Sequence, residues 1–138
     1  HMPERRIGGM SQTQLAYFKK VLEDHPEVRW TFVLMHKPLW MREGEKGLGA
    51  LEVALKDRPY TVINGHFHSY SHRKRHNRDY MMLGTTGGSQ FKNDSMSFDH
   101  VTLVRMDKQP IITHLKMDGI LDETGVVPWQ IDSLLLNK

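Results

Sequence analysis

The chain has 138 residues, no cysteine and a formal net charge of +3. That length suffices for one domain burying roughly two-thirds of its unfolded surface, and without thiols any zinc-type chemistry must rest on His, Asp and Glu. Mean hydropathy is -0.54, no apolar run approaches the roughly 18 residues of a membrane helix, and much of the basic excess is confined to residues 72–78.

His1-Met2 reads as a remnant of tag removal, so residues 1–10 are assigned to remnant and lead-in and residues 11–138 to a single domain. Ser11-Gln12-Thr13-Gln14 has the form of a capping box and predicts a helix starting there. Leu15, Phe18 and Leu22, with Val21 beside them, give that helix an apolar face, while Lys19, Lys20, Glu23 and Asp24 face water, and Pro26 closes it.

Residues 28–35, "VRWTFVLM", predict a strand covered on both faces, of the kind found in α/β sheets. A charged, glycine-containing loop is expected over residues 43–49, then a helix over residues 50–56 with Leu51, Ala54 and Leu55 on one side. Residues 60–63 form the next expected strand. Helix, strand, helix, strand implies βαβ construction with parallel strands.

Further on, strands are expected over residues 80–83, 98–106 and 111–117, with Asp118-Gly119 as a turn and an antiparallel arrangement. Residues 85–89, "TTGGS", read as a flexible polar loop where backbone can approach a ligand. The fold class is thus α/β, a mixed sheet with a βαβ first half and antiparallel strands after it. Met81, Met82, Met96, Met106 and Met117 read as core filling, Trp30 and Trp40 as buried, and Trp129 as a clamp for the tail.

Between the two halves lies "INGHFHSYSHRKRH", residues 63–76. In an extended segment His66 and His68 point the same way while Phe67 turns into the core. His36 ends the first strand about 30 residues earlier, one βαβ length, so it and His66 fall at the carboxyl ends of neighbouring strands, where α/β sheets place ligands. Alone, His36 reads equally as a hydrogen-bonded loop histidine, and His66 with His68 as a surface pair. Together with the strand-end placement they point to a metal.

His72, Arg73, Lys74, Arg75, His76 and Arg78 admit a polyanion-binding reading. A solvated loop is the simpler one, because no aromatics are interleaved for bases to stack on, and nucleic acid is not the expected partner. His25, His100 and His114 read as structural.

The blocks "FVLMHKPLW", "VINGHFHSY" and "YMMLGTTGGSQ", in that order, resemble the last blocks of the calcineurin-like metallophosphoesterases: a strand ending in His-x-Pro, a Gly-His-x-His, and a Gly-rich loop. The likeness runs from about Ser11 to about Glu123. It implies the carboxyl-terminal half of an αββα sandwich and a two-metal hydrolase, in which divalent Mn, Fe or Zn ions activate a hydroxide for in-line attack on a phosphate ester. By position it implies His36 and His66 as ligands of one metal and His68 of the other, with Phe67 at the variable position and residues 73–78 near the substrate entrance.

The family's earlier blocks, an Asp-x-His, a Gly-Asp and an Asn-His, have no counterpart before Ser11, and Asp24-His25 and Asp99-His100 lack the required spacing. The resemblance therefore implies a carboxyl-terminal portion whose partner is a missing amino-terminal half, with no catalytic residue assigned. By itself such a portion is expected to bind at most one ion weakly, to be inactive, and to self-associate through apolar surface left uncovered. The rival expectation is a small polyanion- or nucleic-acid-binding module built on residues 72–78.

Overall fold

In α1 (Gln12–Asp24) the expected capping box is present: Ser11 Oγ accepts from Gln14 N at 3.2 Å, and Gln14 Oε1 accepts from Ser11 N at 3.1 Å. At the other end Arg58 donates to Leu22 O (2.8 Å) and His25 O (3.1 Å), satisfying carbonyls that the helix leaves orphaned before Pro26. The computed structural model describes residues 8–117.

β1 (Thr31–Met35) and β2 (Tyr60–Asn64) are parallel, with Thr31 opposite Tyr60 and Met35 opposite Asn64. The expected strand over residues 28–35 is shorter because the chain bends before Thr31. Nor is β1 covered on both faces: it is the edge of its sheet, and Leu34 is 72% exposed. Only β2 pairs with it among the described residues, so its apolar run is half-covered rather than enclosed.

α2 (Lys46–Leu55) starts well before the expected residue 50. Glu45 caps it, accepting from Leu48 N with one carboxylate oxygen and from Met10 N at 3.0 Å with the other. Gly47 reads as loop in sequence but lies in the helix, and it is glycine because a Cβ there would lie 2.7 Å from the Met10 Cβ. The glycine serves close packing of the lead-in against α2.

The segment expected to be a solvated loop holds β3 (Ser71–Arg75), which turns at His76-Asn77 into β4 (Arg78–Met82). Both turn residues have positive φ, 51° and 56°, as a two-residue hairpin with right-handed strand twist requires. β4 is antiparallel to β3 but parallel to β2, so the second half is not purely antiparallel, and the sheet order is β1-β2-β4-β3. β5 (His100–Met106) and β6 (Pro110–Lys116) form a separate antiparallel pair. An isolated bridge between Thr85 and Asp99 ties it to the first sheet, with His100 N donating to Thr85 O at 2.9 Å.

The protein is thus mixed α/β, with parallel and antiparallel strands in one sheet and two α-helices among the described residues. α1 and α2 cover one face, where Leu15, Leu48, Leu51 and Leu55 pack on Tyr60, Val62 and Tyr80. Each buried aliphatic side chain contributes about 1.5–3 kcal/mol over its exposed state. Met81 and Met82 are buried as expected, but Met96 and Met106 are 42% and 38% exposed and fill no core. Trp30 and Trp40 are half-buried with their indole N–H groups bonded to Thr61 and Asn64. Among the described residues no helix is long and apolar enough to cross a membrane. The Asp118-Gly119 turn, the Trp129 clamp and the extension of one domain to residue 138 lie outside the described residues.

Candidate metal centre

Two parallel strands in register end side by side, so the residues just past them meet. Gly65 N donates to His36 O at 3.1 Å, drawing the exit of β2 against the exit of β1. Trp40 Nε1 donates to Asn64 Oδ1 at 2.8 Å and Leu83 N donates to Asn64 O at 2.7 Å, fixing that corner from both sides. His66 Nδ1 then lies 3.2 Å from His36 Nε2, with the rings edge to face at an interplanar angle of 80°.

The convergence does not arise as the sequence suggests. Residues 65–69 are not extended: His66 has φ 83° and His68 φ 54°, both in the left-handed region. Side chains with a Cβ occupy it at a cost of roughly 1–2 kcal/mol each. The i, i+2 alternation is therefore broken, and Phe67 does not turn into the core but rests half-buried against the His66 ring, 5.0 Å between centroids.

His68 is held differently. Its Nδ1 is 2.7 Å from the carbonyl of Ser89, its own carbonyl accepts from Ser97 Oγ at 2.7 Å, and its ring lies 6.2 Å from that of Phe91. A carbonyl only accepts, so the proton of neutral His68 is on Nδ1 and the lone pair on Nε2. Partial burial, and then the nearby charges of His36, Lys37 and His68, hold the His66 imidazole below its ordinary value of 6.5, which keeps it a neutral donor at pH 7.

The His36–His66 separation suits one ion. Two nitrogens each about 2.0–2.1 Å from a tetrahedral metal are about 3.3 Å apart, and 3.2 Å is observed. His68 does not complete a trio: among the described residues no three His, Asp or Glu side chains are close enough together to hold a metal ion. The structure brings together His36 and His66, and holds His68, two residues further on, by separate anchors at Ser89 and Ser97.

The Gly-rich loop, expected to be flexible, is pinned by Asp99, which in sequence stands out only as half of an Asp-His pair without the metal-motif spacing. Asp99 accepts from Thr85 Oγ1, from Gly87 N at 2.9 Å and from Gln90 Nε2 at 2.7 Å. The Thr85 hydroxyl lowers the Asp99 carboxyl, and the Gly87 and Gln90 bonds and the nearby His100 charge add to this against a smaller opposing effect of burial. The signal in sequence is faint, a single Asp ahead of an apolar strand.

The basic segment is consumed internally. Arg75 grips Glu52 through two bonds of 2.7 and 3.0 Å, and His76 reaches the same carboxylate at 3.3 Å. His72 and Lys74 share Asp79 at 2.6 and 2.7 Å. Arg73 lies over the Trp40 ring, and Arg78 over Tyr60 while donating to Arg58 O. His100 is buried between the rings of Tyr70, Phe98 and His114, and His25 sits beside Glu27 at the surface. Comparison with protein-family models, curated proteins and solved structures finds no match for this chain.

Proposed function

We propose that His36, His66 and His68 are the carboxyl-terminal share of the metal centre of a two-metal phosphoesterase, whose carboxylates come from an amino-terminal half like that of the calcineurin-like family. The observation that carries this reading is the His66 Nδ1 to His36 Nε2 approach of 3.2 Å at adjacent strand ends, held by a backbone in the left-handed region. An N–H to N hydrogen bond brings two imidazoles this close without a metal, but here the approach is made by a His66 held at positive φ. Such strain clusters at functional sites.

A second observation supports it. Beside His36 a cavity of about 390 Å³ opens between α1 and β1, lined by apolar side chains including Phe18, Val21, Phe32, Val33 and Met35. A further parallel strand laid on β1 would cover Leu34, fill this cavity, and end next to His36. Carboxylates at the end of that strand would give two neutral imidazoles the anionic co-ligands a dication needs.

In this reading divalent ions, when bound, supply Lewis acidity toward a phosphate ester. The chain's own residues hold and orient: His36 Nε2 and His66 Nδ1 would present two lone pairs to one ion, and His68 Nε2 a third lone pair, while its protonated Nδ1 donates to the Ser89 carbonyl. Imidazoles combined with the carboxylates of the amino-terminal half would accept Mn, Fe or Zn.

The test is reconstitution. The isolated chain is expected to hydrolyse a generic aryl phosphate no faster than background with Mn, Zn or Mg, and activity is expected once the amino-terminal half is restored. His66→Ala in the restored protein should then cost more than the roughly 10- to 100-fold that loss of an outer-sphere partner costs. Turnover by the isolated chain that His36→Ala removes would show that the centre assembles without the missing half.

A further inference from the structure

His68 is the one histidine of the centre whose ring is set by the protein rather than by another imidazole, and what sets it is a loop. The loop's stem is fixed on β5 by His100 N donating to Thr85 O and Thr86 Oγ1 to His100 O, at 2.9 and 2.8 Å, and its span 87–90 is held by one side chain. Residues 85–90 contain two glycines and short polar side chains, and Gly87 adopts φ 80°. Such a segment has little apolar surface to fix it. It is nevertheless tethered at three points to one side chain, Asp99: by the Thr85 hydroxyl, by Gly87 N at 2.9 Å and by Gln90 Nε2 at 2.7 Å. Asp99 is anchored just before β5, where its carbonyl accepts from Met117 N at 2.8 Å. The loop's last turn is where Ser89 offers its carbonyl to His68 Nδ1 at 2.7 Å.

We propose that Asp99 is the positioning residue for His68: it holds the loop so that the Ser89 carbonyl keeps the imidazole proton on Nδ1 and leaves the Nε2 lone pair for a cation. This rests on the reading of His68 as a ligand, and adds a residue to it that touches neither metal nor substrate. An unconstrained histidine favours the opposite tautomer, with the proton on Nε2. Without the loop the donor nitrogen would therefore be blocked, and the ring free to turn. Ordering a ligand's far nitrogen through a carbonyl is a common second-sphere device. Here the carbonyl is not rigid by itself and borrows its position from Asp99.

The experiment reads the tautomer directly, by long-range ¹H–¹⁵N correlation of the labelled metal-free chain above the pH range where imidazole titrates. Wild-type His68 is expected as a single species with its proton on Nδ1. Asp99→Ala, which removes all three tethers, is expected to lose that signature and give a mixture weighted toward Nε2–H. Asp99→Asn keeps one oxygen for Thr85 and Gly87, and Gln90 can turn its amide to accept from the new NH₂, so it should restore the wild-type spectrum. If Asp99→Ala does not fold, Thr85→Val and Gln90→Ala, each cutting one tether, should shift part of the population the same way.

The proposal is overturned if wild-type His68 carries its proton on Nε2, or if Asp99→Ala lowers Tm while leaving the tautomer unchanged. Zinc titration of the same sample is read separately, on His36 and His66. No perturbation there would show that the isolated chain holds no zinc, and would leave the His68 result standing; the metal reading itself falls if the reconstituted protein is inactive.

Discussion

Residues 65–69 and residues 71–78 are neighbours in the chain and equally crowded with imidazoles or cations, yet the fold treats them in opposite ways. In the second stretch every basic side chain named above meets a partner from elsewhere: Glu52 on α2, Asp79 on β4, or the face of Trp40 or Tyr60. In the first, the polar partner of the His66 ring is another imidazole, and among the described residues no carboxylate is close enough to complete a group of three. Density of histidine in a sequence therefore says little about availability. The supply of acids does, and here the acids go to the hairpin.

The largest effect that would sharpen this contrast is expected at Glu52. Its side chain is 6% exposed and accepts from Arg75, His76 and Tyr80. Glu52→Ala should cost about 2–3 kcal/mol in a denaturant melt, below the 3–5 kcal/mol of a fully enclosed pair because Arg75 is 43% exposed. Burial pushes the Glu52 carboxyl up, but the bonds from Arg75 and Tyr80 and the charges of Arg75 and His76 win, holding it below its ordinary 4.5. A folded value below the unfolded one means that the contribution is present at neutral pH and is lost as pH falls through the folded value. Stability measured from pH 7 downward should fall below about 4.5 in the wild type, and fall less steeply in Glu52→Gln. An unchanged melt for Glu52→Ala would break the comparison, since the hairpin's cations would then need no acid.

The middle effect belongs to the histidines. His36 is exposed, and His36→Ala should change metal-free stability by no more than about 0.5 kcal/mol. Zinc at roughly ten times its Kd should stabilise the wild type by about 1.4 kcal/mol, read as a rise in Tm, and should do nothing for His36→Ala or His66→Ala. His72→Ala in the hairpin should leave the zinc response intact. A zinc response that follows His72 instead would reverse the assignment of the two stretches.

The smallest effect is on polyanion binding. With its cations already engaged, the hairpin has few to give to phosphates, so the dependence of log K on log salt for an oligonucleotide should be shallow. A slope steeper than about -3 requires more than three phosphate contacts and would show that Glu52 and Asp79 release their partners on binding.

Much of the scaffold is legible in the sequence because it follows from short-range rules. The Ser11 capping box and the parallel strands around Val33 and Val62 are set by local hydrogen bonding and apolar runs. The meeting of His36 with His66 follows from strand ends in register. β3 is hidden because "SHRKR" has no apolar alternation: it is held by a guanidinium on Glu52 of α2 and an imidazole on Asp79 of the facing strand, and neither pairing leaves a periodic signal in the sequence. The start of α2 is hidden because Gly47 reads as a loop residue until Met10 is seen against it. No composition rule foretells positive φ at His66 and His68, and Asp99 shows its role only when the loop it tethers is seen to end on His68.

The left-handed backbone at His66 and His68 also sets how this chain would respond to laboratory evolution. Glycine adopts φ values of 83° and 54° without the roughly 1–2 kcal/mol borne by a side chain with a Cβ. Against that relief stand glycine's larger entropy loss on folding, roughly 0.5–1 kcal/mol, and the loss of the His68 ring contacts with Ser89 and Phe91, so a screen for heat resistance alone would favour the imidazoles only weakly. Strong retention of the two imidazoles requires a second selective pressure, applied to binding itself.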